Sequence, residues 1–399
     1  MRTSFARNAL TLGLLSAIGP FAIDMYLPAL PALGADLKAS TFGVQMTLMA
    51  YFVGFGLTQI IYGPLSDIFG RKLPLYFGLG LFALATLGAA MATSIEWLIA
   101  LRVIQGVGAA AAMVIPRAVI RDLHTGVAAA RLMSLVMLVF SVSPILAPLF
   151  GSALIVPFGW RAVFYAVAVT ALIGLALVAF SLPETRPPAT RMKGGLKPVL
   201  SSYGYLLRDW HFMSLSIIGG LGISSFMVFL STSAFIYMDH FGLTPTLYSL
   251  AFSINAVGFI GASQLSASLG QRFGMGRVVL GAVSAFAVMA VAHLLLALSG
   301  IDNIAVVIPM LFMTFTFLGL VIPASMVMSL DPHGPIAGMA SALGGTLQMV
   351  IAAVVIVLAS LSFNGTVLAM VAAIALCAIG TVILAWMSLG TRMVAAPAE

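Results

Sequence analysis

Apolar residues run through this chain in long unbroken stretches rather than in the strict alternation of half-buried strands. Divided at Gly, Pro and charged clusters, they predict twelve helical spans at 9–32, 42–64, 73–93, 97–117, 131–156, 162–182, 211–236, 247–269, 277–299, 304–329, 336–360 and 366–388. Each is near the ~20 residues that an α-helix needs to cross a bilayer. The joints carry turn and charge signals, among them Gly70-Arg71-Lys72, Gly159-Trp160-Arg161, Pro183-Glu184-Thr185 and Asp331-Pro332-His333-Gly334. Runs of this length without alternation exclude a β-barrel. The first run follows Arg2 and Arg7 as a signal peptide would, but it continues to about Leu33 and reads as an uncleaved first span. The fold class is therefore an all-α integral membrane protein.

Composition sharpens this picture. Of 399 residues, 62% are hydrophobic and 7% charged, against roughly 25% charged in soluble domains. With a mean hydropathy of +1.15, a soluble enzyme and a disordered chain are both excluded. The formal charge of +7 marks topology rather than nucleic-acid binding, because the bases cluster on no soluble domain. With a cytoplasmic amino terminus, fifteen Lys and Arg fall inside: Arg2, Arg7, Arg71, Lys72, Arg117, Arg121, Arg131, Arg186, Arg191, Lys193, Lys197, Arg208, Arg272, Arg277 and Arg392. Only Lys38 and Arg161 fall outside, and Arg102 lies within a span. The positive-inside rule then places both termini in the cytoplasm. Cys377 is the single cysteine and reads as a small buried hydrophobe. The five histidines have no metal-ligand spacing, and no phosphate-binding loop provides for ATP-driven pumping. No metal and no cofactor are expected.

The longest polar stretch, Pro183 to Asp209, reads as a cytoplasmic linker between two six-helix halves. The predicted division is 1–185, a linker at 186–210, and 211–399. The halves echo each other: Leu65, Phe69 and Gly70 recur as Leu269, Phe273 and Gly274. Duplication across a central linker is a transporter signature.

At these residues the chain resembles the major facilitator superfamily, specifically its twelve-span drug:proton antiporters. Gly63 to Lys72 resembles the family's loop after span two, G-x-L-a-D-r-x-G-r-k, with Ile68 where a base is usual. Its glycines suit a tight turn, with Asp67 either at the amino end of span three or paired with a cytoplasmic helix of the other half. Span four, with Leu98, Arg102, Gln105, Gly106, Gly108, Ala109 and Ala110, resembles l-x-x-x-R-x-x-q-G-x-g-a-a. Span five, with Pro144, Ala147, Pro148, Gly151 and Ser152, resembles the antiporter motif g-P-x-x-G-g, departing at Ala147 and Ser152. Together with Asp24 to Pro31 in span one and Gly338 to Gln348, these motifs look most like the bicyclomycin-resistance and chloramphenicol/florfenicol-exporter branch, called Bcr/CflA. The resemblance implies two pseudo-symmetric six-helix bundles, a monomer, and a multi-pass protein of the bacterial inner membrane.

Two charges inside spans stand out, since each costs on the order of 2.5–3.5 kcal/mol to insert. Asp24 and Arg102 are expected at comparable depth, in the outer third of a core about 30 Å thick. In the family fold, spans one, four, seven and ten line the central cavity, so the resemblance implies that the two face each other across water. Burial and a nearby arginine pull a carboxyl group's proton affinity in opposite directions, so Asp24 and Arg102 are the proton-coupling candidates. The alternative for Asp24 is a solvated or permanently paired structural charge. Substrate contacts are expected from Tyr26, Met46, Tyr51, Phe226, Phe229, Phe235, Phe312 and Phe315, because adaptable apolar surfaces accept varied ligands. Asn255 and Gln348 either orient a ligand or join helices. Conformational gating is assigned to Gly63, Asp67, Gly70, Arg71, Lys72, Arg117, Arg121, Pro144, Pro148 and Gly151. Arg117 and Arg121 also suit interfacial anchoring.

The expected function is proton-coupled export of a neutral antimicrobial, with amphenicols favoured. The expected partners are a small-molecule drug, protons and the lipid bilayer, without nucleic acid. The alternative is the same fold exporting a sugar, nucleoside or peptide, and a receptor or channel is the remote one.

Overall fold

The computed structural model describes residues 5–124, 126–191 and 197–390. Arg2, Lys193 and Arg392, counted above for topology, lie outside the described residues. No strand occurs among those described. Among the described residues twelve stretches are long and apolar enough to cross a membrane, from Phe5–Asp36 to Val367–Leu389. Contacts divide the chain into Met1–Val199 and Leu200–Glu399.

The first unit contains α1 (Phe5–Asp24), α2 (Leu30–Asp36), α3 (Thr41–Phe69), α4 (Lys72–Ala90), α5 (Ile95–Leu123), α6 (Gly126–Phe158) and α7 (Arg161–Phe180). In it α3 and α4 pack on α5, α1 on α6, and α4 on α7. A helix α8 (Lys197–Arg208) follows at the junction. The second unit contains α9 (Trp210–Ala234), α10 (Pro245–Phe273), α11 (Met275–Leu298), α12 (Ile304–Leu330), α13 (Ala337–Ser362) and α14 (Val367–Ala385). Its pairings repeat those of the first: α10 and α11 on α12, α9 on α13, and α11 on α14.

Local chemistry sets the helix starts. The side chains of Ser40, Ser94, Thr244, Asn303 and Thr366 accept hydrogen bonds from the backbone N–H groups of Gly43, Trp97, Leu247, Val306 and Ala369. Each satisfies a donor that the first helical turn leaves unpaired.

Two expectations are corrected. The helices of spans two, four and eight run on to Phe69, Leu123 and Phe273, past the predicted 64, 117 and 269. Hydropathy marks the stretch that suits lipid, whereas helical hydrogen bonding continues beyond it. Span one is not one continuous helix: it breaks after Asp24 and resumes through a 3-10 turn at Leu27–Ala29 into α2.

Candidate functional site

The break in span one follows from Leu27-Pro28-Ala29-Leu30-Pro31. Neither proline has an N–H, so the carbonyls four residues earlier, those of Asp24 and Leu27, lose their helical donors. Asp24 therefore ends α1. The chain turns through Met25 and Tyr26, whose N–H groups donate to the carbonyls of Phe21 at 3.0 Å and Ile23 at 3.1 Å. Span five packs onto this break. A Cβ at Gly151 would collide with the Met25 carbonyl, so only glycine permits that approach. Pro144, Pro148 and Gly151 all lie within α6, and the motif they belong to seats that helix against the turn. Asp24 is 5% exposed. The Ser143 hydroxyl donates to its Oδ2 at 3.4 Å. Among the described residues no cation pairs with it, so Arg102 and Asp24 are not joined.

Arg102 is fully buried and held otherwise. Its guanidinium lies 4.6 Å from the ring centres of both Tyr26 and Tyr51. Nη1 donates to Gln105 Oε1 at 2.6 Å, and Nε to the Thr47 carbonyl at 3.4 Å. Gln105 Nε2 in turn donates to the Thr86 hydroxyl at 2.8 Å. Nη2 has no hydrogen-bond partner among the described residues. Two aromatic faces and two carbonyl oxygens thus replace the water that a buried cation gives up. Tyr26 and Tyr51, expected as ligand contacts, are buried as the clamp on this cation, with the Tyr26 hydroxyl 2.8 Å from that of Thr47. Met46, also in α3, is 8% exposed.

The Gly63–Lys72 motif is mostly helix rather than loop. Gly63 and Asp67 lie inside α3, and only Gly70 and Arg71 make the turn. Gly70 has φ +88°, a conformation that glycine adopts without strain. Asp67 sits at the end of α3 rather than the start of span three, and its partner is in its own half: Oδ1 lies 2.9 Å from Arg71 Nη1. Arg71, 3% exposed, also reaches Asp122 at 2.7 Å and donates to the Ser66 hydroxyl at 2.6 Å. Burial works against its charge, but Asp122 and Asp67 outweigh it and hold the guanidinium above its ordinary proton affinity. Glu184 caps the start of α4, accepting from the N–H groups of Arg71 at 2.9 Å and Lys72 at 3.1 Å. Burial opposes its charge too, but these donors and the Arg186 N–H hold the carboxyl below the usual range. The Lys72 ammonium donates to the Ala179 carbonyl at 3.3 Å.

Arg117 and Arg121 do not join this cluster. Arg117 reaches the Met113 sulfur at 3.8 Å, and Arg121 is exposed. Their neighbour Asp122 carries the connection instead. At the other end of the unit, Asp36 at the end of α2 accepts from Trp160 Nε1 at 3.0 Å and Arg161 Nη1 at 2.7 Å.

In the second unit the expected aromatics divide. Phe226, Phe229 and Phe315 form one cluster, with Phe229 and Phe315 at 5.0 Å and Phe226 and Phe315 at 5.5 Å. Phe252, Phe259, Tyr237 and Tyr248 complete it. Phe235 lies apart and meets Phe363 at 6.4 Å. Phe312 packs over Gly258 of α10 rather than in the cluster. Asn255 is buried, its amide donating to the Ala251 carbonyl at 3.1 Å. Gln348 is half-buried against Gly219 of α9.

Sequence reading missed Ser143, Thr47 and Glu184 as partners, and left Gln105 without a role of its own. Of these contacts only the span-one break had a local signal, the two prolines after Asp24.

Residues 12–356 match the family model of the Major Facilitator Superfamily. An uncharacterized MFS-type transporter, YdgK, of Bacillus subtilis is 33% identical over 352 residues, 87% of each chain. The bicyclomycin resistance protein homolog of Haemophilus influenzae is 32% identical over 257 residues, 64% of this chain and 65% of that one. A chloramphenicol resistance protein of Pseudomonas aeruginosa is 30% identical over 293 residues, 71% of this chain and 68% of that one. Among solved structures, a D-xylose-proton symporter superposes with a TM-score of 0.72 at 16% identity, covering 94% of this chain and 96% of that one.

Proposed function

The chain belongs to the Major Facilitator Superfamily, alongside drug- and antibiotic-resistance transporters, and we propose that it exports a neutral antimicrobial of the amphenicol class in exchange for protons. It is a multi-pass membrane transporter and not an enzyme. On this reading it works as a monomer in a bacterial inner membrane, with both termini cytoplasmic and the proton gradient in place of any cofactor. A proton crossing 100 mV releases about 2.3 kcal/mol, roughly a fiftyfold gradient per charge moved.

The observation that carries the reading is the environment of Asp24. A buried carboxyl at a helix break, touched by one hydroxyl and paired with no cation among the described residues, is suited to gain and lose a proton rather than to stay a fixed charge. Arg102 supplies a fixed cation in the same half, with both N–H groups of its Nη2 unspent among the described residues. The break supplies backbone that can move without unwinding a whole span. In this reading the half-buried Phe226, backed by the buried rings of Phe229 and Phe315, provides an adaptable aromatic surface for an uncharged drug. The cluster about Arg71 holds one conformation of the cytoplasmic ends by alternating access.

The test is proton flux in energised inside-out vesicles on adding chloramphenicol or florfenicol, with Asp24→Asn vesicles alongside. Drug-triggered proton release is expected in the parent protein alone. Equal release in both would remove Asp24 from coupling. Silence in both, with folded protein present, would overturn the substrate or the antiport, and a screen of sugars, nucleosides and peptides would separate the two.

A further inference from the structure

We propose that the first half carries a membrane-facing binding site for the acyl chain of a bilayer phospholipid, in a groove between α1, α6 and α7. The cavity is about 430 Å3. Its floor is α1, with Leu14, Ala17, Ile18 and Phe21, and its walls include Val142 of α6 and Ile173 of α7. Leu138 and Ile173 at its mouth are 59% and 51% exposed, so the groove opens on the surface of a chain that spans the bilayer.

Water is a poor occupant, because an ordered water needs two to four polar partners. The lining has two hydroxyls and both are engaged: Thr170 donates to the Val167 carbonyl at 2.7 Å and Ser143 to Asp24 at 3.4 Å. An unfilled apolar void forfeits dispersion contacts along its whole lining. A lipid tail restores them, and it is the apolar chain that the bilayer already presents at the groove's mouth. The duplication does not by itself leave this opening. In the second half α9 and α14, the pair that matches α1 and α7, pack far more extensively. Ser143 belongs to both the groove wall and the contact with Asp24, so a seated tail covers the lipid side of that carboxyl.

The labelling itself needs neither drug nor gradient, so it stands or falls apart from the transport reading, and drug enters only as a competitor. The full chain is placed in nanodiscs of phosphatidylethanolamine and phosphatidylglycerol doped with a phospholipid that carries a diazirine in its acyl chain. Adducts are mapped by mass spectrometry. Adducts on residues 138–146 and 170–177 are expected severalfold above those around Val288 and Leu295, which are exposed on α11. They are expected to fall severalfold in Ala17→Phe and, separately, in Val142→Phe, so that one variant suffices if the other does not fold. Even labelling of all exposed helices, or labelling unchanged in a folded variant, would overturn the proposal. Displacement of the adducts by chloramphenicol would also overturn it, by giving the groove to substrate.

Discussion

The turn that joins spans two and three and the turn that joins spans eight and nine are built on the same left-handed glycine and carry different chemistry. Gly70 and Gly274 end α3 and α10 with φ +88° and +86°. After the first stands Arg71, bound to Asp67, Asp122 and Ser66; after the second stands Met275, whose side chain covers Gly270. Where the first copy has Asp67, the second has Gln271. The glycine therefore builds the turn, and the charges are an addition that the turn does not need. The same contrast runs through the spans. The first half buries Asp24 and Arg102, whereas the second packs Phe226, Phe229, Phe252 and Phe315 and, among its described residues, buries no Asp, Glu, Lys or Arg, only the histidines His293 and His333.

The sharpest way to break this contrast is to remove the charge from the first half. Asp24→Asn is expected to abolish drug-linked proton flux in vesicles while the purified protein keeps its helical circular dichroism. Next in size is the aromatic half: Phe229→Ala leaves a cavity in the ring cluster, and a loss of roughly 3–5 kcal/mol is expected in denaturant unfolding. Arg102→Lys keeps the charge but cannot span Gln105 and two tyrosine rings at once. It is expected to cost on the order of 1–3 kcal/mol, read by thermal unfolding in detergent.

The smallest effect sharpens the turn comparison. Glu184→Gln weakens the cap on α4, by about 0.3–1 kcal/mol at low salt. Because the folded carboxyl binds its proton less readily than the ordinary value of 4.5, its stabilisation is complete above that pH. It fades as acidification passes the lower, folded value. The glutamine variant should lack that acid-side loss in unfolding measured between neutral and acid pH.

Much of the fold was legible because lipid imposes a simple code. A helix that crosses hydrocarbon must be apolar for about 20 residues, and twelve such runs can be counted without knowing how they pack. The site was legible only as isolated residues. Asp24 and Arg102 stood out because charges in spans are costly, but the groups that hold each of them could not be read from their positions. Arg102 takes Tyr26, Tyr51, Gln105 and the Thr47 carbonyl, and Asp24 takes Ser143, which is 119 residues away. In the same way Phe312 and Phe315 fall on nearby positions of α12, yet Phe315 joins the ring cluster and Phe312 covers Gly258. Spacing along a helix says which residues are neighbours on its surface, not which helix that surface meets.

Composition and local sequence determined the twelve apolar runs, the duplicated glycine turn, the capping residues and the prolines that end α1 at Asp24. Each depends on solvent preference or on backbone hydrogen bonds within a few residues, which the chain encodes locally. Tertiary structure alone decided the rest: that Gly151 seats span five on that break, that two tyrosines from different spans enclose Arg102, and that Glu184 caps a helix 112 residues earlier. Those contacts join segments far apart in the chain, and their geometry is set by how whole helices pack against one another.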